Sequence, residues 1–217
     1  MKIISIAVLS LLIALPAFSG VRAPLESDAE AKVVGALIEK EINRVLKILK
    51  DETTDQEAKR AEVMKIVGPL FDLKLMGKLV LGRRNWPKFD KGQRKTFLDL
   101  FVKTLQDSYF DKVDLLTDEA VEFEKPVRKK KKFHVLTHIV SKDQRYEMLY
   151  KLYKKKGAWR VYDVEIEGIS VVKSYGSQYD QFLRKGSVDK LLVKMREKTI
   201  TVPKDLQSKE KRSKSKG

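Results

Sequence analysis

The chain has 217 residues, no cysteine, and a formal charge of +16 at pH 7 from 46 basic and 30 acidic residues. This length fits one domain with a substantial buried core, and the absence of cysteine excludes disulfides and thiolate chemistry. The positive charge favours anionic partners, namely nucleic acid, a membrane surface or an acidic protein.

Residues 1–19 have the layout of a secretory signal peptide. Lys2 precedes a mostly apolar run from Ile3 to Leu15, and Ala17 and Ser19 take the small-residue positions of a cleavage site. The run is short for a membrane span, so a retained membrane anchor is the weaker alternative. We expect cleavage after residue 19 and a soluble periplasmic protein, which argues against nucleic acid as a partner.

The segment that follows has helical periodicity. Apolar residues recur every three or four positions between Ser27 and Asp51, which predicts an amphipathic helix. A second helix is expected to begin at the capping box Thr54–Glu57 and to stop near Gly68 and Pro69.

Two further helices are predicted before the spacing of apolar residues changes from helical to strand-like. Asp72 is placed to cap a helix with Leu75, Met76 and Leu79 on one stripe. Asp90, with Gln93 three residues on, is placed to cap a longer helix. That helix carries an i, i+4 ladder of large apolar side chains: Phe97, Phe101, Leu105 and Tyr109.

The second half is typical of strands, because it is rich in aromatic and β-branched residues. Short turns at residues 142–144 and 155–157 predict antiparallel neighbours. The expected strands are Val121–Phe123, Phe133–Val140, Arg145–Lys154 and Trp159–Ile166.

Two helices are expected to close the fold, at Ser174–Arg184 and at Val188–Lys198 with Ser187 as N-cap. Residues 201–217 lack apolar content and are expected to form a disordered basic tail. The order of elements predicts an α+β fold in which helices wrap a curved antiparallel sheet and leave a cone-shaped interior.

No pattern of catalytic or metal-binding residues stands out. His134 and His138 would share a strand face about 13 Å apart, too far for one metal ion. Asp163, Glu165 and Glu167 also share one face, which favours an exposed ladder of ion pairs, with Asp163 free to bond a turn. Neither catalytic residues nor a metal is therefore expected, although a general base among these carboxylates remains an alternative.

The basic run Arg128–Lys132 is best explained as a solvated loop or strand edge. Transient contact with an anionic membrane surface or with a partner protein is the main alternative, and nucleic acid is the weakest one.

Three segments together resemble the MlaC family, the toluene-tolerance auxiliary proteins. They are FDLKLMGKLVLGRRNW (residues 71–86), FDKGQRKTFLDLFVKTLQDSYF (89–110) and WRVYDVEIEGISVVKSYGSQYDQFLRKGSVDKLL (159–192). The resemblance extends over residues 30–196. The chain departs from the family pattern at Arg84 and Asn85, which precede Trp86, and at Gly176, where an arginine is frequent.

The resemblance implies a lipid-binding domain over residues 24–200 with an NTF2-like cone that encloses an apolar pocket. It implies a periplasmic phospholipid shuttle within an Mla-type ABC transport system that maintains outer-membrane lipid asymmetry. The implied partners are an outer-membrane lipoprotein complex and an inner-membrane MCE/ABC transporter. We expect a monomer with no cofactor besides the phospholipid cargo.

An aqueous carrier must replace the burial that a bilayer gives to acyl chains, so the inner face of the sheet and the facing helices are the candidate lining. The same residues would equally fill a solid core. The candidates are Leu75, Leu79, Phe97, Phe101, Leu105, Phe133, Val135, Ile139, Met148, Tyr150, Leu152, Tyr162, Val164 and Ile166.

Three alternatives to the phospholipid shuttle remain at this point. A hopanoid or other lipid carrier of the same superfamily would use the same pocket for a different cargo. A secreted NTF2-like enzyme would use Asp163 or Glu165 as general base on a hydrophobic substrate. A structural adaptor would dock through the basic surface alone.

Overall fold

The computed structural model describes residues 22–113, 120–141, 144–200 and 202–207. The expected signal peptide at residues 1–19 lies outside them. The helices within these ranges are α1 (Arg22–Leu49), α2 (Gln56–Leu70), α3 (Leu73–Asn85), α4 (Lys91–Val113), α5 (Val171–Lys185) and α6 (Val188–Arg196). The strands are β1 (Ala120–Phe123), β2 (Val127–Lys129), β3 (Lys132–Ser141), β4 (Gln144–Lys155), β5 (Ala158–Ile166) and β6 (Ile169–Ser170).

The strands form one antiparallel sheet in the order β1-β3-β4-β5-β6. The short β1 and β2 both pair with β3, β1 at residues 137–140 and β2 at residues 132–134. Helices lie against one face of this open sheet. The predicted α+β class with an antiparallel sheet is confirmed. Among the described helices, none has the length and apolarity needed to cross a membrane.

A β-bulge on β5 divides its inward-facing side chains into two groups. Lys151 pairs with Asp163, but the next residue, Leu152, pairs with Val161, so Tyr162 is the extra residue. Trp159 and Val161 face the helices before the bulge, and Val164 and Ile166 face them after it.

The prediction that Tyr162 faces inward with Val164 and Ile166 is therefore wrong. Its ring packs edge-on against Tyr153, with centroids 5.9 Å apart, and lies beneath the Lys132 ammonium at 4.3 Å. Both neighbours are on the outer face of the sheet. A strict two-residue alternation holds only while the ladder is unbroken, and the bulge breaks it.

The core consists of two separate clusters. The main one joins the sheet to α3, α4, α5 and the N-terminal half of α1, and an aromatic group from Phe97, Phe101, Tyr175 and Tyr179 lies in it. A small second cluster, built on Leu49 and Val63, joins the far end of α1 to α2.

Most of the helix N-caps that the sequence predicts are present in the structure. The Asp90–Gln93 capping box is confirmed, because the Gln93 amide donates to Asp90 Oδ1 at 2.8 Å and the Asp90 amide donates to Gln93 Oε1 at 3.0 Å. Asp72 and Ser187 are N-caps as predicted.

Several helix boundaries differ from the prediction. α1 begins five residues earlier than expected, and α6 ends two residues earlier. Asp55 rather than Thr54 caps α2, since its carboxylate accepts from the Ala58 amide at 3.0 Å. α2 also continues through Pro69, where a proline in the last turn removes only one hydrogen bond. α5 begins at Val171, three residues before the predicted start at Ser174, because Ser170 caps it.

The ordered chain also extends beyond residue 200. Residues 204–207 form a helical turn, and Leu206 is buried in the main cluster at 2% exposure. Ser174 Oγ donates to Asp205 Oδ2 at 2.5 Å. The expected disordered tail is thus wrong for residues 202–207, because one leucine and one paired aspartate suffice to dock a short segment. Residues 208–217 lie outside the described part.

Candidate ligand-binding cavity

An apolar cavity of about 320 Å³ lies between the sheet and the helices. Its walls include Leu49 and Val63 from the second core cluster, and Ile38 and Val164 from the main one. The cavity therefore occupies the space in which the α1–α2 pair and the sheet do not close onto each other. Side chains at this position are apolar but lack the close packing partners that a solid core would supply.

Helices supply most of the wall. Five residues in the C-terminal half of α1 recur at three-to-four spacing, which places them on one face of that helix. α2 presents a similar stripe. The apolar residues from these two helices are Ile38, Ile42, Val45, Leu46, Leu49, Val63, Met64, Ile66, Val67 and Leu70. Phe71, Leu73, Met76, Val102, Leu105 and Val171 extend the wall from the other helices and their connections.

The sheet closes the opposite side. Its contribution comes from the half of the strands that lies away from the β2–β3 and β4–β5 turns, and it alternates along each strand as the pleat requires. These residues are Val121, Thr137, Ile139, Met148, Tyr150, Val164 and Ile166. The other half of the inner face, from Phe133, Val135 and Leu152, is filled by core packing.

Few polar groups reach this cavity. Thr137 is fully buried and donates to the Met148 carbonyl at 3.4 Å. Burial raises the pKa of Tyr150 to about 12, so its hydroxyl is neutral at physiological pH. Glu41 also lines the cavity, but its carboxylate pairs with Arg44 at 2.6 Å. The interior thus suits an uncharged, largely apolar ligand.

A more polar surface groove adjoins the cavity at the C-terminal end of α1. The two share Leu46 and Val121, and the groove also contains Lys47 and Lys50. Asn43, Asp51 and Ala120 complete its described walls. An apolar interior therefore borders a groove that carries two ammonium groups.

The sequence-based candidates for the lining fall into three groups. Six of them meet around the cavity: Leu105, Ile139, Met148, Tyr150, Val164 and Ile166. Five are buried in the main core instead: Phe97, Phe101, Phe133, Val135 and Leu152. The last three take no part in the described lining: Leu75 is half-buried on α3, Leu79 is 43% exposed, and Tyr162 is on the outer face.

The largest omission from those candidates is the α1–α2 wall. The apolar stripe of α1 is visible in the sequence, and a helix that precedes an antiparallel sheet is expected to use such a stripe for the core. The length of this stripe is the sequence feature that could have indicated the α1–α2 wall. From Val34 to Leu49 the stripe extends for more than four turns, about 24 Å, further than a helix needs to cover the expected four-stranded sheet, about 20 Å wide.

The carboxylates and histidines lie away from the cavity. Lys151 Nζ on the outer face binds Asp163 Oδ2 at 3.1 Å and also pairs with Glu165. Asp163 accepts further hydrogen bonds from Ser170 Oγ at 2.7 Å and from the Val172 amide at 3.1 Å. Asp163 stabilises the turn into α5, and its carboxylate oxygens are occupied by these three contacts.

The two histidines belong to that outer face too. His134 pairs in register with Lys151, and His138 Nε2 lies 3.4 Å from Glu124. Burial and the nearby Lys151 charge lower the pKa of His134. Within the described ranges, no group of three or more metal-ligating side chains comes together.

Comparisons with known proteins agree with this geometry. A family model described as "MlaC protein" matches residues 39–197. A comparison with functionally curated proteins gave no match. Among solved structures, a phospholipid-binding protein from Ralstonia solanacearum, crystallised with a phospholipid, superposes with a TM-score of 0.68 at 19% identity. The superposition covers 75% of this chain and 94% of that one, so it shows that the two share a fold.

Proposed function

Because the chain belongs to the MlaC family, we propose that it is a periplasmic phospholipid-binding protein that carries lipid between the outer and inner membranes. It would act as the soluble component of an Mla-type ABC transport system. In this proposal it exchanges cargo with an outer-membrane lipoprotein complex and an inner-membrane MCE/ABC transporter, and it works as a monomer without catalysis.

The apolar cavity is the observation that carries this proposal. Its wall along α1 runs from Ile38 to Leu49, about 16 Å at 1.5 Å per residue. One acyl chain spans half a bilayer core, about 15 Å. Burying about 14 methylenes of one chain offsets roughly 11 kcal/mol of exposure to water.

The groove beside the cavity is the proposed place of the headgroup. Its position at the shared residues Leu46 and Val121 lets a lipid enter with its chain inside and its phosphate outside. Lys47 and Lys50 would then lie near the phosphate, where positive charge stabilises it. The polar part stays in water, so no buried charge has to be compensated.

The positions of Asp163 and Glu165 also support a binding protein over the enzyme alternative. A general base must reach the reacting atom of a bound substrate. Asp163 and Glu165 bind Lys151 on the face of the sheet opposite to the cavity. The further hydrogen bonds that Asp163 accepts, from Ser170 Oγ and the Val172 amide, secure the turn into α5.

Native mass spectrometry of protein purified from the periplasm tests the proposal directly. We expect a mass increase equal to one phospholipid. The substitution Val45→Trp places an indole in the cavity and should strongly reduce the loaded fraction. Val193→Trp is the matched control, because Val193 is 43% exposed on α6 and away from the cavity.

The outcomes separate the alternatives. Lipid-free wild-type protein, or a Val45→Trp variant that keeps its full load, would contradict the proposal. A bound mass that corresponds to a hopanoid would retain the carrier function and change the lipid class.

A further inference from the structure

Two hairpin turns bring separate basic segments together at one end of the sheet. The turn between β2 and β3 lies within the run Arg128–Lys132, and the run Lys154–Lys156 leads into the turn between β4 and β5, of which Lys156 is the first residue. We call these eight residues the hairpin-end surface. All eight are exposed.

Ion pairs show that the two segments are neighbours. Glu30 of α1 binds both of them, with Arg128 Nη2 at 3.2 Å and Lys154 Nζ at 3.0 Å. Lys155 pairs with Asp72. Within the described part of the chain, the other five cations of this surface form no ion pair with a carboxylate. The hairpin-end surface therefore keeps a large net positive charge.

The tips of both turns hold lysine in an unfavourable backbone conformation. Lys130 has φ of 60° and Lys156 has φ of 48°. Glycine and asparagine are preferred in this left-handed region, since other side chains are strained there. Turn geometry alone would therefore not select lysine at either tip, which indicates that the charge itself has a role.

The composition of the surface favours a membrane over a protein partner. Seven of the eight cations are lysines. Lysine is a flexible, strongly hydrated point charge, whereas arginine and aromatic residues are enriched at protein interfaces and lysine is depleted there. A cluster of lysines near an anionic bilayer, in contrast, needs no shape complementarity.

We propose that the hairpin-end surface docks the protein onto anionic lipid bilayers and points the cavity away from the bilayer. Lys132 and Ile139 on β3 are seven residues apart, about 23 Å along the strand, and only Ile139 lines the cavity. Docking at this end leaves the groove with Lys47 and Lys50 free to meet a protein partner. The inference extends the proposed carrier function but needs no bound lipid.

Vesicle flotation tests the surface. The probe is vesicles of phosphatidylethanolamine with about one-third phosphatidylglycerol, compared with pure phosphatidylcholine. The variant Lys130→Asn/Lys156→Asn removes two charges and relaxes both strained turns, so it should fold at least as well as the wild type. Each lysine contributes about fivefold to binding, so we expect about 25-fold weaker partitioning onto the anionic vesicles.

The matched control is Lys190→Gln/Lys194→Gln, which removes the same charge from exposed positions on α6. It should retain most of the binding. Equal loss in both variants would overturn the proposal in favour of a net-charge effect. Equal binding to both vesicle types would also overturn it, and capture by poly-glutamate without vesicle binding would assign the surface to an acidic protein.

Site-specific labels test the orientation, which is convenient because the chain has no cysteine. A polarity-sensitive dye on Ala158→Cys, beside the β4–β5 turn, should respond to anionic vesicles. The same dye on Lys47→Cys, in the groove, should not. A response only at position 47 would reverse the proposed orientation. Lipid content measured in parallel by native mass spectrometry keeps this result separate from the carrier proposal.

Discussion

Asp72 connects α3 to β4 through one buried side chain. Its Oδ1 caps α3 by accepting from the Leu75 amide at 3.0 Å, and its Oδ2 accepts from Tyr153 and Lys155 on β4, each at 2.5 Å. The residue Asp72 as a whole is only 6% exposed. Burial opposes its ionisation, but these hydrogen bonds outweigh the burial and lower the pKa of Asp72 below its ordinary value.

The lowered pKa predicts a specific pH dependence of stability. The ionised form is favoured by folding, so its contribution is complete above the unfolded pKa of about 3.9 and is lost as the pH falls through the lower folded value. Asp72→Asn should reduce the free energy of unfolding at pH 7 by about 2 kcal/mol, and by less at pH 3. Urea denaturation at the two pH values measures the difference.

Asp99→Asn is the control for this experiment. Asp99 is 64% exposed and, among the residues that the structure describes, pairs only with Lys95 on the same helix, so we expect a change of at most about 0.5 kcal/mol at either pH. A pH-independent loss in Asp72→Asn would show that the carboxylate acts through shape and capping rather than through its charge.

Gly176 determines how closely two helices can approach. A Cβ at this position of α5 would lie 3.0 Å from the Val80 carbonyl oxygen of α3. The obstacle is backbone, which cannot move aside as the end of a long side chain can. Gly176 therefore permits a tight α3–α5 contact, and α5 in turn delivers Tyr175 and Tyr179 to the core.

Gly176→Ala and Gly68→Ala should consequently differ in their effects. The first forces α3 and α5 apart, and we expect a loss of roughly 1–2 kcal/mol in stability. The second is at an exposed position of α2 and meets no atom within 4 Å outside its chain neighbours, but its Cβ faces the ring of Pro69, which opposes the gain in helix propensity. We expect it to change stability by at most about 0.5 kcal/mol. Thermal denaturation distinguishes them, and a neutral Gly176→Ala would mean that α3 shifts without cost.

At the scale of the whole molecule, the C-terminal segment closes the helical side of the fold. Leu206 fills the main core, and Asp205 receives a hydrogen bond from Ser174 near the start of α5. The first turn of α5, which Asp163 already fixes, is thereby held by a second contact. The fold depends on residues well separated in the chain.

Truncation tests this arrangement. A chain that ends at residue 201 loses the buried Leu206 and should unfold about 2–4 kcal/mol more easily. A chain that ends at Gln207 keeps these contacts and should match the full-length protein in chemical denaturation. Equal stability of the two truncated chains would show that the docked turn contributes nothing.

Most helices and strands, and the fold class, could be predicted from local patterns in the sequence. Periodicity located the helices and strands, and polar residues at their ends located caps such as Asp72, Asp90 and Ser187, because these signals depend on near neighbours in the chain. The family pattern likewise consists of local motifs. The α+β class followed from the order of the elements.

Which apolar side chains line the cavity could not be predicted from the sequence, because it depends on how the helices pack against the sheet. Phe133 and Ile139 are equally apolar and share one strand face, yet Phe133 is packed in the core and Ile139 lines the cavity. The difference is set by how far α1 and α2 stand from the sheet at each point. In the same way, the bulge turned Tyr162 outward, and pairing of β3 with β4 joined two basic turns into one surface. These outcomes depend on distances between segments remote in the chain, which no local pattern records.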